Sequence, residues 1–290
     1  MTDQAISAPE PVTRAVAPAR RSGVPILVWI ALGWLVAMVI IALFAETLAP
    51  YRYTAPDLRN RLAPPGHTLH WLGTDELGRD VLSRLFISIQ VSLLIAFGAS
   101  LISATFGTML GFLAAYFRGV VEQIVLMLAD FQASMPFLIL ALSVLAFFGT
   151  SLLLLVCLMG LFGWERYARI ARGLAISANA QSYAAAVGQL GASPFRIYLR
   201  HVLPNIASTL IVMMTLVFPE VILLESALSF LGLGVQPPVT SLGNMVGYGR
   251  EYITRSPWIM LAPAATIVLT TLAVSILGDF LRDKLDPTLR

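Results

Sequence analysis

The chain carries little charge for its length. Only 12% of its 290 residues are charged, which is about half of the roughly 25% that is usual in a soluble domain. Hydrophobic residues make up 58% of the chain, and the mean hydropathy is +0.81. This composition excludes an ordinary soluble globular domain and favours a protein of the lipid bilayer.

Lysine, cysteine and histidine are also scarce. Lys284 is the only lysine, so the chain contains no GxxxxGK[ST] phosphate-binding loop and cannot itself be a P-loop ATPase. The single cysteine, Cys157, lies in an apolar run and is predicted to be a buried core residue without a disulfide or metal role. His67 and His70 are either a metal pair or ordinary loop histidines, and the lack of further ligands favours the second interpretation. We therefore expect a non-catalytic chain with no metal or cofactor of its own.

Long apolar runs dominate what is present. A membrane-spanning helix needs about 20 mostly apolar residues. Six runs come near or exceed this length, namely 25–48, 88–117, 124–148, 151–164, 206–231 and 258–281. The fourth run is short and is expected to continue through Tyr167 and Ala168. The sequence therefore predicts an all-α integral membrane protein with about six transmembrane helices.

The placement of arginines predicts the orientation of the chain. Cytoplasmic segments are enriched in basic residues, and a cytoplasmic N-terminus places most of the 19 basic residues on that side. Both termini are therefore predicted to be cytoplasmic. Residues 1–24 are expected to form a disordered tail, and residues 25–290 a transmembrane domain. Within that domain, 50–87 and 232–257 face the outside and 165–205 faces the cytoplasm.

The outer segment ends in the sequence HWLGTDELGRDVLSRL. Gly73 is expected to make a turn, after which Thr74 or Asp75 caps a helix. Leu77 and its apolar neighbours one and two turns later would share one face of that helix. This pattern predicts an amphipathic helix on the outer membrane surface.

A stripe of small residues runs along the second apolar run. Gly107 and Gly111 form a GxxxG pair, and Ser100 and Ala104 continue the stripe. Such stripes let helices approach closely in lipid. The stripe is interpreted either as packing within this chain or as contact with a second subunit.

Ionisable residues and prolines lie at predicted membrane depth. An ionised group in mid-bilayer costs about 2.5–3.5 kcal/mol on insertion scales, so Asp130, Glu220 and Glu225 are expected to face protein or water. Pro136 and Pro219 are expected to kink their helices. Three interpretations stay open for these residues: structural contacts, the lining of a pathway, or the coupling groups of an ion-driven secondary transporter.

The longest polar interruption is the segment 182–205, SYAAAVGQLGASPFRIYLRHVLPN. An alanine-rich helix is expected to end at Gly191, which can take a left-handed conformation. Ser193 can cap the next helix, with Pro194 at its first position. Arg196 and Arg200 follow one turn apart, and Pro204 is expected to close the segment before the next apolar run. This helix–break–helix pattern indicates a cytoplasmic surface on which a soluble motor can act.

The residues of this segment resemble a known motif. Ala185-Ala186-Val187-x3-Gly191-x9-His201-Val202-Leu203-Pro204 is similar to the EAA loop of bacterial ABC-importer permeases, EAA-x3-G-x9-I-x-L-P, with alanine in place of the usual glutamate. Three further blocks, HWLGTDELGRDVLSRL, LSFLGLGVQPP and GDFLRDKLDPTLR, extend the match. Together they resemble the C-type permease subunit of dipeptide, oligopeptide and nickel importers over nearly the whole chain after residue 25.

This resemblance implies the fold of a type I importer permease in the bacterial inner membrane. It also implies a homologous B-type permease, a periplasmic solute-binding protein and two ATPase subunits that hold ATP and magnesium. The solute would be a peptide, with a nickel chelate, glutathione, an opine or an oligosaccharide as alternatives. The expected ATPase-coupling residues are Ala185, Ala186, Val187, Gly191, Ser193, Pro194, Arg196, Arg200, His201 and Pro204.

Overall fold

The computed structural model describes residues 24–67, 69–179 and 193–285, so the predicted tail lies almost wholly outside the described residues. These ranges contain helices and turns, with one isolated bridge between Thr74 and Asp80. The helices are α1 (Ile26–Leu43), α2 (Ala45–Leu48), α3 (Val81–Phe117), α4 (Gly119–Ser134), α5 (Phe137–Phe148), α6 (Leu152–Gly160), α7 (Trp164–Asn179), α8 (Pro194–Ile197), α9 (Leu203–Phe230), α10 (Leu242–Gly249) and α11 (Trp258–Leu285). A π-helical turn, Tyr198–Val202, joins α8 to α9, and 3-10 turns lie at Leu58–Asn60 and Arg250–Tyr252.

Four helices in the described ranges are long and apolar enough to cross a membrane, namely α1, α3, α11 and the stretch Tyr198–Phe230. Helices α4 and α5 make a fifth span if they are taken together, but they meet at an angle of 87°. The break falls at Met135 and Pro136, where proline cannot donate the hydrogen bond that would continue the helix. The all-α membrane fold is confirmed, and the described residues contain four spans, or five with the bent pair, where about six were predicted.

The predicted fourth span is two helices. Gly163, which lies between α6 and α7, has a φ of +80°. This left-handed conformation interrupts the regular helix there. Helix α6 has only 9 residues, and Tyr167 and Ala168 belong to α7 instead. The prediction that the run 151–164 continues through these two residues was therefore wrong.

Cys157 lies on the exposed face of α6. The buried face of this helix consists of Leu155, Leu158 and Met159, and α6 packs mainly against α3. Because a single-sided contact buries only one face of a helix, the prediction of a buried core cysteine was wrong.

The small-residue stripe of α3 packs against α7. A Cβ atom added to Gly111 would lie 2.5 Å from the carbonyl oxygen of Ala168, and one added to Gly107 would lie 2.7 Å from the Cβ of Tyr167. Both distances are too short for a real side chain, so glycine is what allows the two helices to approach. The interpretation of the stripe as packing within the chain is confirmed.

The outer segment forms a turn around Asp75 in place of the predicted amphipathic helix. The buried carboxylate of Asp75 accepts hydrogen bonds from the backbone N–H groups of Leu77 and Arg79, both at 2.9 Å. It also accepts from Arg79 Nε at 2.7 Å and pairs with Arg84. Gly78 has a φ of +73°, which a helix starting at residue 74 or 75 does not permit. The prediction of a helix there was wrong because these side-chain bonds stabilise a turn.

Helix α3 begins after this turn. The carboxylate of Asp80 accepts a hydrogen bond from the N–H of Ser83 at 2.7 Å and so caps the helix. Its other oxygen lies 2.9 Å from Nδ1 of His70. Gly73 makes the predicted turn with a φ of +73°. His70 therefore serves to hold the cap of α3 in place.

Substitution of Gly111 by valine tests the contact between α3 and α7. We expect Gly111→Val to destabilise the protein, because overpacking costs about 1–3 kcal/mol, and to lower its thermal unfolding midpoint in detergent by several degrees. Gly33→Val in α1 is the matched control, since a Cβ at Gly33 meets no atom within 4 Å. Equal midpoints for the two variants would contradict the packing described above.

Cysteine labelling tests the orientation. Ser193 and Thr254 are both exposed and lie at opposite ends of the bundle. In a chain carrying Cys157→Ser, a membrane-impermeant maleimide is expected to label Ser193→Cys only from the cytoplasm and Thr254→Cys only from outside. Labelling of the first variant in intact cells would overturn the orientation.

Candidate coupling surface and charged transmembrane site

The predicted coupling residues divide into two groups. Ala185, Ala186, Val187 and Gly191 lie outside the described residues. Ser193, Pro194, Arg196, Arg200, His201 and Pro204 lie at the start of α8, in the π-helical turn and at the start of α9. The Ser193 carbonyl accepts a hydrogen bond from the N–H of Ile197 at 3.1 Å, and its Oγ lies 3.4 Å from the nitrogen of Arg196. Ser193 and Pro194 thus begin a helix as predicted.

Pro204 does not end this helix. The N–H of Leu203 donates to the carbonyl of Tyr198, five residues back, so the turn before Pro204 is wider than an α-helical turn. Pro204 then occupies one of the first two positions of α9. A widened turn accommodates a ring that has no N–H to donate. Pro204 therefore lies at the junction between the polar segment and α9, and the chain stays helical through it.

A small core anchors the coupling surface, which we define as α8 with the π-helical turn. The buried ring of Tyr198 lies 5.0 Å from that of Phe112 and 6.2 Å from that of Tyr116, both on α3. Alanines of α7 complete this core from the other side, and they are Ala171, Ala175 and Ala178. Arg196 and Arg200 are exposed. A force applied to the coupling surface therefore acts directly on α3, α7 and α9.

Three arginines of α7 pair with acids on other helices, and we call them the arginine ladder. Arg166 Nη1 lies 2.8 and 3.0 Å from the two oxygens of Glu220, Arg169 Nη2 lies 2.7 Å from Asp130 Oδ1, and Arg172 Nε lies 2.6 Å from Glu122 Oε1. Because an α-helix turns by about 100° per residue, three-residue steps rotate successive arginines by about 60°. Arg166 therefore contacts α9, and Arg169 and Arg172 contact α4.

The ladder accounts for two of the three acids predicted at membrane depth. Asp130 and Glu220 each have an arginine partner, which offsets the cost of about 2.5–3.5 kcal/mol for an ionised group in mid-bilayer. Sequence reasoning assigned the arginines to a cytoplasmic loop and missed the pairing. The signal that points to it is the three-residue spacing of the arginines beside acids that need a partner.

Glu225 occupies a different environment. Its buried carboxylate accepts hydrogen bonds from Ser229 Oγ and Ser241 Oγ, both at 2.7 Å. Ser241 also accepts a hydrogen bond from the N–H of Asn244 at 3.2 Å and caps α10. Glu225 therefore ties the C-terminal end of α9 to the loop before α10 and has no contact with the ladder. Pro219 lies buried within α9 beside Glu220.

The helices and the charges between them together indicate a class of protein. Apolar helices surround paired charges, and a short helix with exposed arginines, α8, lies at the end of the bundle where α9 begins. These are the features of a membrane transport subunit.

Comparison with known proteins identifies the family. The family model described as "Binding-protein-dependent transport system inner membrane component" matches residues 107–290, and "N-terminal TM domain of oligopeptide transport permease C" matches residues 27–65. The chain belongs to this family of binding-protein-dependent inner membrane components. It is therefore a permease subunit of an ABC importer, as its sequence blocks predicted.

The similarity to individual relatives extends over most of each chain. The di/tripeptide permease DppC of Pseudomonas aeruginosa is 39% identical over 90% of this chain and 88% of its own. The oligopeptide permease OppC of Bacillus subtilis is 34% identical over 88% of this chain and 84% of its own. The glutathione permease GsiD of Pectobacterium atrosepticum is 34% identical over 87% of this chain and 84% of its own.

Proposed function

We propose that this permease subunit carries short peptides into the cell. The observation that supports this most directly is the similarity, over about nine tenths of the chain, to permeases named for oligopeptides and for di- and tripeptides. Peptides are polar and charged at both ends, so they need a polar route across the hydrocarbon. The arginine ladder supplies paired charges at that depth.

The proposed complex contains this chain, a homologous B-type permease, two ATPase subunits and a periplasmic solute-binding protein. ATP and magnesium would bind the ATPases, because this chain has a single lysine and no phosphate-binding loop. The partner subunits would therefore hydrolyse ATP, and this chain would convert their motion into opening and closing of the route.

The coupling surface is the proposed site of contact with one ATPase. Arg196 and Arg200 are exposed on it, while Tyr198 anchors it to α3. Movement of an ATPase would shift the coupling surface as a rigid unit, since packed cores transmit displacement with little deformation. The cytoplasmic half of α7 would move with it and carry the ladder arginines relative to α4 and α9.

Glutathione is the second candidate solute, since one relative is named for its transport. It is itself a small peptide with a free amine and carboxylates, so the same polar route suits it. The two candidate solutes, peptides and glutathione, are distinguished by measuring how strongly glutathione and an unmodified tripeptide compete with each other for uptake.

Reconstitution tests the proposed function. The purified chain alone is expected to hydrolyse no ATP above background. Co-purified with the neighbouring permease and ATPases in proteoliposomes, it is expected to take up labelled trialanine, with ATP hydrolysis stimulated by loaded binding protein. Hydrolysis by the isolated chain, or uptake of an unrelated solute in place of any peptide, would contradict the proposal.

Gly191→Val tests the coupling role. Gly191 lies outside the described residues, and its sequence context predicts a left-handed conformation, in which a β-branched residue is strained by about 1–2 kcal/mol or more. We expect the variant to insert normally and to lose stimulated ATP hydrolysis and uptake together.

Gly173→Val is the matched control for this test, because Gly173 is helical and a Cβ there meets no atom within 4 Å. It is expected to behave like the wild type. Normal uptake by Gly191→Val at equal membrane abundance would show that this segment is not the coupling element.

A further inference from the structure

The pair formed by Arg166 and Glu220 lies deep in the membrane. Trp34, at the middle of α1, donates through Nε1 to Thr270 at 3.1 Å. Gly278 lies eight residues further inward on α11, about 12 Å, and a Cβ there would lie 2.9 Å from Thr215 Cβ. Glu220 is five residues outward from Thr215, about 7.5 Å. Glu220 is therefore within about 5 Å of the level of Trp34, well inside a hydrocarbon core about 30 Å thick.

The two outermost pairs of the ladder remain open to their surroundings. The side chains of Arg166 and Glu220 are 42% and 41% exposed, and those of Arg169 and Asp130 are 41% and 74% exposed. Contact between such charged groups and lipid is energetically unfavourable. Each arginine already has an acidic partner, so a protein surface laid over a pair would remove water from both charges and gain no new partner. The exposed sides therefore suit contact with water and with a polar solute.

The exposed atoms match the ends of a peptide. Arg166 contacts Glu220 through Nη1 and has its Nε 3.8 Å from Glu165 Oε1, whereas Arg169 contacts Asp130 through Nη2. A guanidinium has five N–H donors, so each arginine keeps donors, Nη2 in Arg166, for the carboxylate of a solute, which a guanidinium recognises strongly. Each acid can likewise accept from an ammonium group. The two arginines are about 4.5 Å apart along α7, and an extended dipeptide is roughly 7 Å long.

We propose that the exposed sides of the Arg166–Glu220 and Arg169–Asp130 pairs form a transient binding site for a zwitterionic peptide during its passage. The arginines bind the C-terminal carboxylate, and the acids bind the N-terminal ammonium group. This inference rests on the proposed function. It assigns the contact to the membrane subunit itself, separately from whatever selects the peptide outside.

The test uses the reconstituted complex and trialanine with free termini. Arg166→Gln and Arg169→Gln are expected to reduce peptide uptake by about tenfold or more, the effect of losing a hydrogen bond between charged groups. Hydrolysis of ATP stimulated by loaded binding protein is expected to stay within about twofold of wild type, since docking and coupling are intact. The ATP hydrolysed per peptide transported therefore rises.

Two further variants distinguish a role of these arginines in peptide binding from a purely structural role. Arg172→Gln is the matched control, because it removes a ladder pair whose side chains are only 29% and 19% exposed; its ATP-to-peptide ratio is expected to stay at the wild-type value. Arg166→Lys keeps the positive charge and is expected to restore most of the uptake lost in Arg166→Gln.

Four outcomes would overturn the inference. Uptake and ATP hydrolysis that fall in parallel would show a structural role, as would equal changes in the ratio for all three glutamine variants. Unchanged uptake in Arg166→Gln and Arg169→Gln would show that these pairs do not bind the peptide. If the wild-type complex carries another solute and no peptide, the proposed function fails and this inference fails with it. Peptide uptake by the wild type combined with any of the other outcomes rejects only the inference.

Discussion

An ionised side chain inside a membrane needs an opposite charge or water, and this requirement organises the centre of the structure. Helix α7 brings three arginines into a bundle that is otherwise mostly apolar. Each arginine meets an acid from α4 or α9. Separating any of these helices in the hydrocarbon would expose unpaired charges, so the ladder fixes the order in which α4, α7 and α9 lie side by side.

Helix α7 is also the element that connects the two ends of the proposed mechanism. On one side it packs closely against α3, where Gly107 and Gly111 leave no room for a side chain. Towards its C-terminal end its alanines join the core around Tyr198. A displacement of the coupling surface therefore reaches the ladder through one continuous helix. In this arrangement two of the three pairs that hold the bundle together, Arg166–Glu220 and Arg169–Asp130, are also the groups proposed to meet a passing solute.

Much of the fold could be predicted because it depends on patterns along the chain. Long apolar runs indicate helices in lipid, and the GxxxG pair indicates close packing whatever the partner helix. The start of α8 at Ser193 and Pro194 was predictable for the same reason, since capping depends on adjacent residues.

The errors have a common physical origin. The turn around Asp75 depends on a carboxylate that bonds to the backbone and to Arg84 at once, and periodicity in the sequence does not report such bonds. The pairing of Arg166 with Glu220 joins residues far apart in the chain, so the spacing of the arginines indicates that they need acidic partners, but only the tertiary structure shows which acid each one meets. Cys157 was misplaced because an apolar neighbourhood in the sequence does not distinguish the buried face of a membrane helix from its exposed face.

The central claim is that the exposed side of the ladder borders water. Ser134 is exposed and lies one turn after Asp130 on the same face of α4, so a nitroxide at Ser134→Cys in a chain with Cys157→Ser samples this surface without removing a charge. Electron paramagnetic resonance of the assembled complex in lipid measures its collisions with a water-soluble nickel chelate and with oxygen. Strong relaxation by the nickel chelate is the predicted result. Strong relaxation by oxygen alone would place the surface in lipid, and weak relaxation by both would place it in a protein interface; either result would contradict the claim.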